Sequence, residues 1–586
     1  MQLKRDRHWR FLEDEMKAES EAFVKKFEAR ADYLLLDTQE MFVGKFVAFR
    51  DGEMIVKFAN TRNLPRKGEF LFCMLLPKDL RDYRKWGDKT YKNLYDERFK
   101  GTESVCIWQS ATDDPCFSLV GFRRIDIDFA AILEKAKDVV LVFAPNRPPL
   151  EYVKNLQTLV ANDYSNSVSS VLDADFNIQD WVPTILQDNV SDFVFRQLSL
   201  TDTIILQGPP GTGKTYMIAE LCRRLCLEGK SILVSAMTNR ALMEIAEKPA
   251  LKELLSSGKV LKTNMTVDES RELSELTSVK EILPIPGSIV LSTYFITSGF
   301  AVNLATEQSF DYIIMDEASQ ALLAMFAASK KIARKQLWVG DICQLAPIVS
   351  LNEDIVESSN YKYFINGLEL LSCATSNPIF QLSKTYRFGD RAAKYTGVFY
   401  NDTLAAVDDK QYMSYGSLSN IFNAVGGPTC ILTDLDLGDY APDFLVQMVA
   451  FLVGTILKEH DKKHIAVLSC FIKTVKALQK SIVQFVTKKS NVLVETVARV
   501  QGLTTDITIF VIPNVSYIRS LEEHLFNVAT SRAKEHTIII ADKNIFKCSF
   551  MNDKVRTFME RLREEQCVYI PRQHVSGFLD SANFIS

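Results

Sequence analysis

The sequence predicts an α/β protein: two α/β domains in tandem, with a small antiparallel β domain in front of them. Three observations predict it. Apolar strand-like runs alternate with helical segments around residues 203–340, and a second alternation runs from about Cys373 to the end. Between about Tyr33 and Val142 the texture is instead short apolar–polar alternation, broken by Gly- and Asp-containing turns.

Residues 1–32 read as a charged amphipathic helix, with Leu12, Met16, Phe23 and Phe27 at near-helical spacing. The basic cluster Lys4, Arg5, Arg7, His8 and Arg10 reads as a disordered start rather than a nucleic-acid contact. Residues 33–148 form the β domain, barrel-like, with runs such as Met41–Phe49 and Glu53–Phe58. Within it, residues 78–100 interleave Lys and Arg with Tyr83, Trp86, Tyr91, Tyr95 and Phe99. Two readings stay open there: a nucleic-acid contact, or a solvated helical face packing its aromatics. Pro145–Pro149 marks a boundary.

The first α/β domain is expected over 149–350, with buried parallel strands at Ser231–Val234, Ser288–Leu291, Asp311–Met315 and Gln336–Val339. Its charged, weakly patterned segment 249–286 reads as a helical insertion. The second domain is expected over 351–586, with strands at Ile465–Leu468, Thr508–Ile512 and Thr537–Ile540. The apolar run Phe444–Leu457, after Pro442-Asp443, is too short for a membrane span and reads as a buried helix.

Composition narrows the class. An apolar content of 47% with 24% charge describes globular material, neither a disordered nor a membrane protein, and 586 residues is about four average domains of ~150 residues. The 11 cysteines include no Cys-x-x-Cys pair and the 6 histidines are scattered, so no zinc site is expected and free thiols in a reducing cytosol are. Met1–Arg10 lacks the apolar core of a signal peptide, so a cytoplasmic location is expected. A net charge of −4 places any nucleic-acid contact in a local groove.

The chemistry sits in five segments. Gly208-Pro209-Pro210-Gly211-Thr212-Gly213-Lys214-Thr215 follows the apolar run Thr203–Gln207 and precedes a helical segment, Tyr216–Leu227. Strand, glycine-rich loop, Lys-Thr and helix together form a phosphate cradle: backbone N–H groups and a helix N-terminus face the anion. Lys214 would reach the β- and γ-phosphates, and the Thr215 hydroxyl would ligate Mg²⁺. Asp316-Glu317 ends the strand Tyr312–Met315, which suits Asp316 to holding the metal and Glu317 to polarising an attacking water. Gln344, in Gly340-Asp-Ile-Cys-Gln-Leu-Ala-Pro347, caps the next strand and could sense the γ-phosphate. Arg387 and Arg532 stand in the second α/β half, from which an arginine finger would reach the P-loop and neutralise developing charge.

In this order the segments resemble the motifs of superfamily 1 helicases, the 1B-like group that holds the nonsense-mediated-decay RNA helicase, senataxin and the eukaryotic replication helicase–nuclease. Asp316–Gln320, Gly340–Pro347 and Thr385–Arg387 match motifs II, III and IV, and Ser235–Ala241 resembles motif Ia. Ser292-Thr293 resembles the motif that follows it, Val500-Gln501-Gly502 with Asp506 motif V, and Asn527–Lys534 motif VI. The resemblance implies two RecA-like domains using ATP and Mg²⁺, with Gly502 near the nucleotide. It implies a single strand of DNA or RNA at Thr238, Asn239, Thr293, Val500 and Gln501, and 5′-to-3′ movement. The β domain and the 249–286 segment match accessory modules that this group carries on its first motor domain.

Three positions depart from the pattern. The adenine-reading Gln has only Gln187 as a loose candidate, since Gln197 sits too close to the P-loop. Motif V carries Thr504 where many members place a Glu, and Ser469-Cys470-Phe471 replaces the usual Thr-Pro-Tyr. The zinc domain of the decay helicase and the iron–sulfur nuclease of the replication enzyme have no counterpart, so the chain reads as a stand-alone motor core with a possible partner supplying a nuclease or targeting. The reading is a nucleic-acid-dependent ATPase acting as helicase or translocase. An ATP-gated nucleic-acid clamp and a P-loop kinase or signalling NTPase are the alternatives.

Overall fold

The computed structural model describes residues 4–60, 64–114, 116–136, 139–176, 178, 182–374, 377–408, 410–412, 416–486 and 491–572. The chain divides into two compact units, Met1–Glu19 with Pro149–Asp409 and Ser20–Pro148 with Lys410–Ser586.

The expected β domain is a closed antiparallel barrel of β1 (Phe42–Arg50), β2 (Glu53–Ala59), β3 (Phe70–Leu75), β4 (Lys100–Ala111), β5 (Phe117–Arg123) and β6 (Val140–Pro145) in the order β1-β2-β5-β4-β3-β6. Period-2 alternation fills it with Met54, Val56, Phe58, Leu71, Cys73, Val120, Phe122, Leu141 and Phe143. Closure removes the free edges a six-stranded open sheet would expose. Residues 78–100 add an outer layer in which Trp86 and Tyr91 are buried, with Trp86 Nε1 donating to Leu80 O and Tyr91 OH to Pro145 O, so these two are core, while Tyr83 and Tyr95 are half-buried and Phe99 is exposed.

The barrel belongs with the second α/β lobe, not with the first as the resemblance implied. Ala111 N donates to Val486 O at 2.9 Å, Arg66 pairs with Glu495 at 3.1 Å, Lys476 Nζ donates to Gln39 O at 3.2 Å, and Val483 joins the barrel core.

The first unit holds a nine-stranded sheet, built from β7 (Thr184–Leu186), β8 (Thr203–Gln207), β9 (Ser231–Ala236), β10 (Val260–Thr263), β11 (Thr277–Val279), β12 (Ser288–Thr293), β13 (Phe310–Met315), β14 (Ala333–Gly340) and β15 (Ile379–Leu382). Every pairing is parallel, in the order β11-β10-β12-β9-β13-β14-β8-β15-β7. Alternate residues of one strand enter opposite layers: Ile205 and Met315 one, Ile204, Leu206 and Ile314 the other. Both faces are therefore covered, which is why the strands read as continuous apolar runs.

Two expectations change here. Segment 249–286 is not a helical insertion: besides short helices it supplies β10 and β11, which lengthen the sheet beside β12. Its strands are four and three residues long and β10 carries Lys262, so no apolar run announced them. The first lobe also extends past 350. β15 pairs parallel with β8 (Phe380↔Leu206, Gln381↔Gln207), and β16 (Lys384–Thr385) pairs with β17 (Ala405–Ala406). A strand added from outside the alternating series is invisible to local periodicity.

The second lobe is a six-stranded parallel sheet, order β20-β19-β21-β22-β18-β23, from β18 (Gly427–Thr433), β19 (Ile465–Ser469), β20 (Val492–Thr496), β21 (Thr505–Val511), β22 (Ala533–Asp542) and β23 (Cys567–Ile570). The helix Asp443–Glu459 packs against it through Leu445, Val449, Leu452 and Ile456. Among the described residues no helix is long and apolar enough to cross a membrane.

The N-terminal helix spans Arg5–Glu28, its residues to Glu19 lying in the first unit and the rest in the second. The basic start is ordered from residue 4, unlike the expectation. Arg5 Nε meets Asp173 Oδ1 at 2.7 Å, and His8 stacks on Phe364 at 4.5 Å. Residues 1–3 of the expected helix lie outside the described residues.

Candidate active site

The carboxyl ends of adjacent strands in the first lobe bring the phosphate-binding segments together. Ligands of such sheets gather there because loops and helix N-termini converge on that edge. β8 ends at Gln207 and runs into the P-loop, whose Gly208 N donates to Gly340 O at the end of β14, 2.8 Å away. The helix Lys214–Leu227 then leaves from Gly213, which has φ +78°.

Lys214 lies along the loop, donating to Gly208 O and to Pro209 O at 3.2 Å. Gly208 makes room for it: a Cβ there would stand 2.2 Å from Lys214 Cδ. Thr212 Oγ1 donates to Pro209 O at 2.8 Å and closes the turn, while Thr215 is half-buried in the first turn of the helix.

Asp316 and Glu317 follow β13. Asp316 is buried, and its Oδ1 accepts from Glu317 N at 2.9 Å. Burial pushes its carboxyl up from the usual range, opposed by the Lys214 charge. Tyr294 OH holds Asp316 O at 2.6 Å. Glu317 adopts φ +54°, a left-handed conformation uncommon for a residue with a side chain and kept only where the surroundings impose it. Gly340 lets this turn pack against β14, since a Cβ on it would lie 2.7 Å from Ser319 N.

Gln344 Nε2 donates to Asp341 Oδ2 at 2.5 Å. Asp341 is a hub that the sequence reading did not single out. Its Oδ1 accepts from Gln207 Nε2 (2.6 Å) and Cys343 N (3.1 Å), and its Oδ2 also accepts from Tyr400 OH (2.7 Å). Its place one residue after β14 and three before Gln344 was the available signal.

Arg387 belongs to this lobe, which corrects the expectation that it reaches over from the second domain. β15 carries it there: Tyr386 N donates to Gly211 O at 2.8 Å and Thr385 Oγ1 to Pro210 O at 3.0 Å. Tyr386, overlooked in the sequence, is 60% exposed beside Gly213.

The strand candidates divide. Thr293 ends β12 and is buried, and Thr238, two residues past the end of the paired strand β9, is exposed and caps the helix Asn239–Ala246. Asn239 is half-buried, its Oδ1 2.9 Å from Lys262 Nζ. Val500, Gln501, Gly502 and Arg532 lie in the second unit. Val500 is buried and its amide is spent on Val497 O at 3.3 Å, so it fixes the loop rather than presenting a side chain to a strand. Gln501 is half-buried, and Gly502 is exposed at φ +79°. The buried Arg532 donates from Nε to Val528 O at 2.9 Å and from Nη1 to Leu503 O at 3.5 Å, tying the helix Glu523–Thr530 to the motif V loop. Gln187 is exposed just past β7, on the same sheet edge as the P-loop, whereas Gln197 sits in the helix Val190–Leu200.

Comparison with known proteins agrees with this arrangement. Two family models, each described as an AAA domain, match residues 193–350 and 440–544, one in each lobe. The DNA replication ATP-dependent helicase/nuclease of Bos taurus is 22% identical over 454 residues, covering 70% of this chain and 40% of its own. The protein of the same description from Schizosaccharomyces pombe is 24% identical over 405 residues, covering 61% and 28%.

The chain is therefore similar to the DNA replication helicase/nucleases, at 22–24% identity.

The chain spans well under half the length of those two relatives. A crystal structure of arterivirus nonstructural protein 10, a helicase, aligns with 89% of the chain and 78% of its own at 12% identity and a TM-score of 0.38. The fold is mixed α/β, with two parallel sheets and a closed antiparallel β-barrel.

Proposed function

We propose that the chain is an ATP-hydrolysing motor that acts as a helicase or translocase on single-stranded nucleic acid, moving 5′ to 3′. The observation that carries this reading is the convergence of Lys214, Asp316, Glu317 and Gln344 at the carboxyl ends of β8, β13 and β14. The relatives are named as DNA helicases, which favours DNA over RNA as the strand.

Lys214 is placed to transfer from the loop carbonyls to the β- and γ-phosphates. Glu317 orients the attacking water and accepts its proton, and Gln344 reports on the γ-phosphate through its hydrogen bond to Asp341. The oxygen donors Thr215 and Asp316 suit Mg²⁺, a hard cation, and would stabilise a buried carboxylate that is otherwise pushed toward protonation. Mg²⁺ supplies charge neutralisation to the phosphates. Arg387 sits against the loop, whereas Arg532, expected as the finger, is bonded within its own lobe to Val528 O and Leu503 O. Gln187, at the carboxyl end of β7, is the candidate reader of adenine.

The test is ATPase activity of the pure protein with single-stranded DNA, single-stranded RNA, or neither. Stimulation by DNA is expected. Equal rates in all three would favour a signalling NTPase, and stimulated hydrolysis without strand displacement would favour the ATP-gated clamp.

A further inference from the structure

Lys262, on β10, has a fully buried side chain. A buried ammonium is costly unless every donor finds a partner. Its Nζ donates to Asn239 Oδ1 at 2.9 Å, Glu269 Oε2 at 3.2 Å and Thr263 O at 3.5 Å. Glu269 is itself fixed, accepting from Thr266 N at 2.8 Å in the capping box of the helix Val267–Glu272.

An ammonium only donates, so it grips Asn239 by its carbonyl oxygen. That determines which way round the amide lies: the NH₂ group is turned away from the lysine. Next to it, Thr238 Oγ1 accepts from Ala241 N at 3.2 Å and keeps its own O–H as a donor. Thr238 is exposed and the helix Asn239–Ala246 begins here, adding backbone amides. The neighbouring Arg240 is held by Glu244 at 3.2 Å and Glu272 at 3.1 Å, so its charge is answered locally. The result is a surface of donors at the end of β9. It suits phosphodiester oxygens, which only accept, rather than base edges, which carry both donors and acceptors.

We propose that Lys262 is a positioning residue that locks Asn239 in its phosphate-donating orientation, making segment 249–286 part of the strand-binding machinery. The proposal rests on the reading of Thr238 and Asn239 as strand contacts.

The test is the affinity of a fluorescein-labelled oligo-dT, measured by anisotropy. Because Lys262→Met alone leaves the Glu269 carboxylate without its cation, the variant is Lys262→Met with Glu269→Gln, which removes the pair together. Its melting temperature is expected near that of the wild type and its affinity about tenfold weaker, as for Asn239→Ala. Combining all three changes is expected to weaken binding no further than Asn239→Ala alone. Wild-type affinity in the pair variant, with Asn239→Ala impaired, overturns the positioning role and leaves the strand reading standing. A loss that adds in full to that of Asn239→Ala also overturns it, because the effect then bypasses Asn239. No loss in Asn239→Ala overturns the strand reading itself. Should the pair variant not fold, the milder Lys262→Gln with Glu269→Gln decides by the same comparison: wild-type affinity refutes the proposal, and a loss that vanishes in the Asn239→Ala background supports it.

Discussion

Gly211 lies directly against Arg387. A methyl group on Gly211 would stand 2.3 Å from Arg387 Cβ and 2.6 Å from Thr385 Oγ1, closer than real carbon contacts allow. The tip of the P-loop and the segment after β15 are therefore one packed unit, and glycine is what permits it.

Gly211→Ala adds that collision to a backbone at φ +74°. It is expected to displace the loop from Thr385–Arg387, weakening nucleotide binding by about 100-fold or more at a stability cost of roughly 1–3 kcal/mol. Gly213→Ala is the control. Its φ is +78° but its nearest neighbour would be Tyr386 at 3.7 Å, so backbone strain acts alone and the loss is smaller. A fluorescent nucleotide analogue measures both.

Lys214→Ala is expected to abolish hydrolysis, and Asp316→Asn to abolish its dependence on Mg²⁺ along with most of the rate. Arg532→Ala is expected to cut hydrolysis by ~10³-fold with nucleotide affinity largely kept. Steady-state rates with equilibrium nucleotide binding separate these outcomes, and an unchanged rate in Arg532→Ala would show that its bonds to Val528 O and Leu503 O do not matter to hydrolysis.

Asp341→Ala releases Gln207, Gln344 and Tyr400 at once. The expected fall in kcat is about 10- to 100-fold, equivalent to roughly 1.4–2.7 kcal/mol. Tyr400→Phe, which removes only the bond from Tyr400, is expected to lose less. Turnover at saturating ATP distinguishes the two, and a normal kcat in Asp341→Ala would dissociate Gln344 from the reaction.

Two groups on the N-terminal helix oppose each other in pH. Burial and the Arg5 charge lower His8 to about 3, so the unfolded chain binds the extra proton. His8 therefore contributes stability above about 6.5 that is lost as pH falls toward 3, by up to ~1.4 kcal/mol per unit. Burial and Glu15 raise Glu19 to about 7, so its contribution is present below about 4.5 and is lost as pH rises toward 7. The two offset each other between 4.5 and 6.5, and His8 alone acts below that. His8→Phe, keeping the stack on Phe364, is expected to flatten the decline in melting temperature below pH 4.5.

The sequence by itself determined the elements whose chemistry is local. The P-loop between β8 and its helix, Asp316-Glu317 at the end of β13, Gln344 after β14 and the alternation of the barrel all follow from short-range spacing and burial period. The tertiary structure decided what depends on strand order. β15 inserts beside β8, so Arg387 belongs with the P-loop and the first lobe runs to about 409 rather than 350. The barrel joins the second lobe through Val486, Glu495 and Lys476, residues more than 300 positions away in sequence. Segment 249–286 adds two strands to the sheet among its short helices, unannounced because parallel strands of three or four residues gain their stability from neighbours rather than from their own pattern. For the same reason Lys262, a charged residue in a charged stretch, could be seen to hold Asn239 only once β10 was placed beside β12.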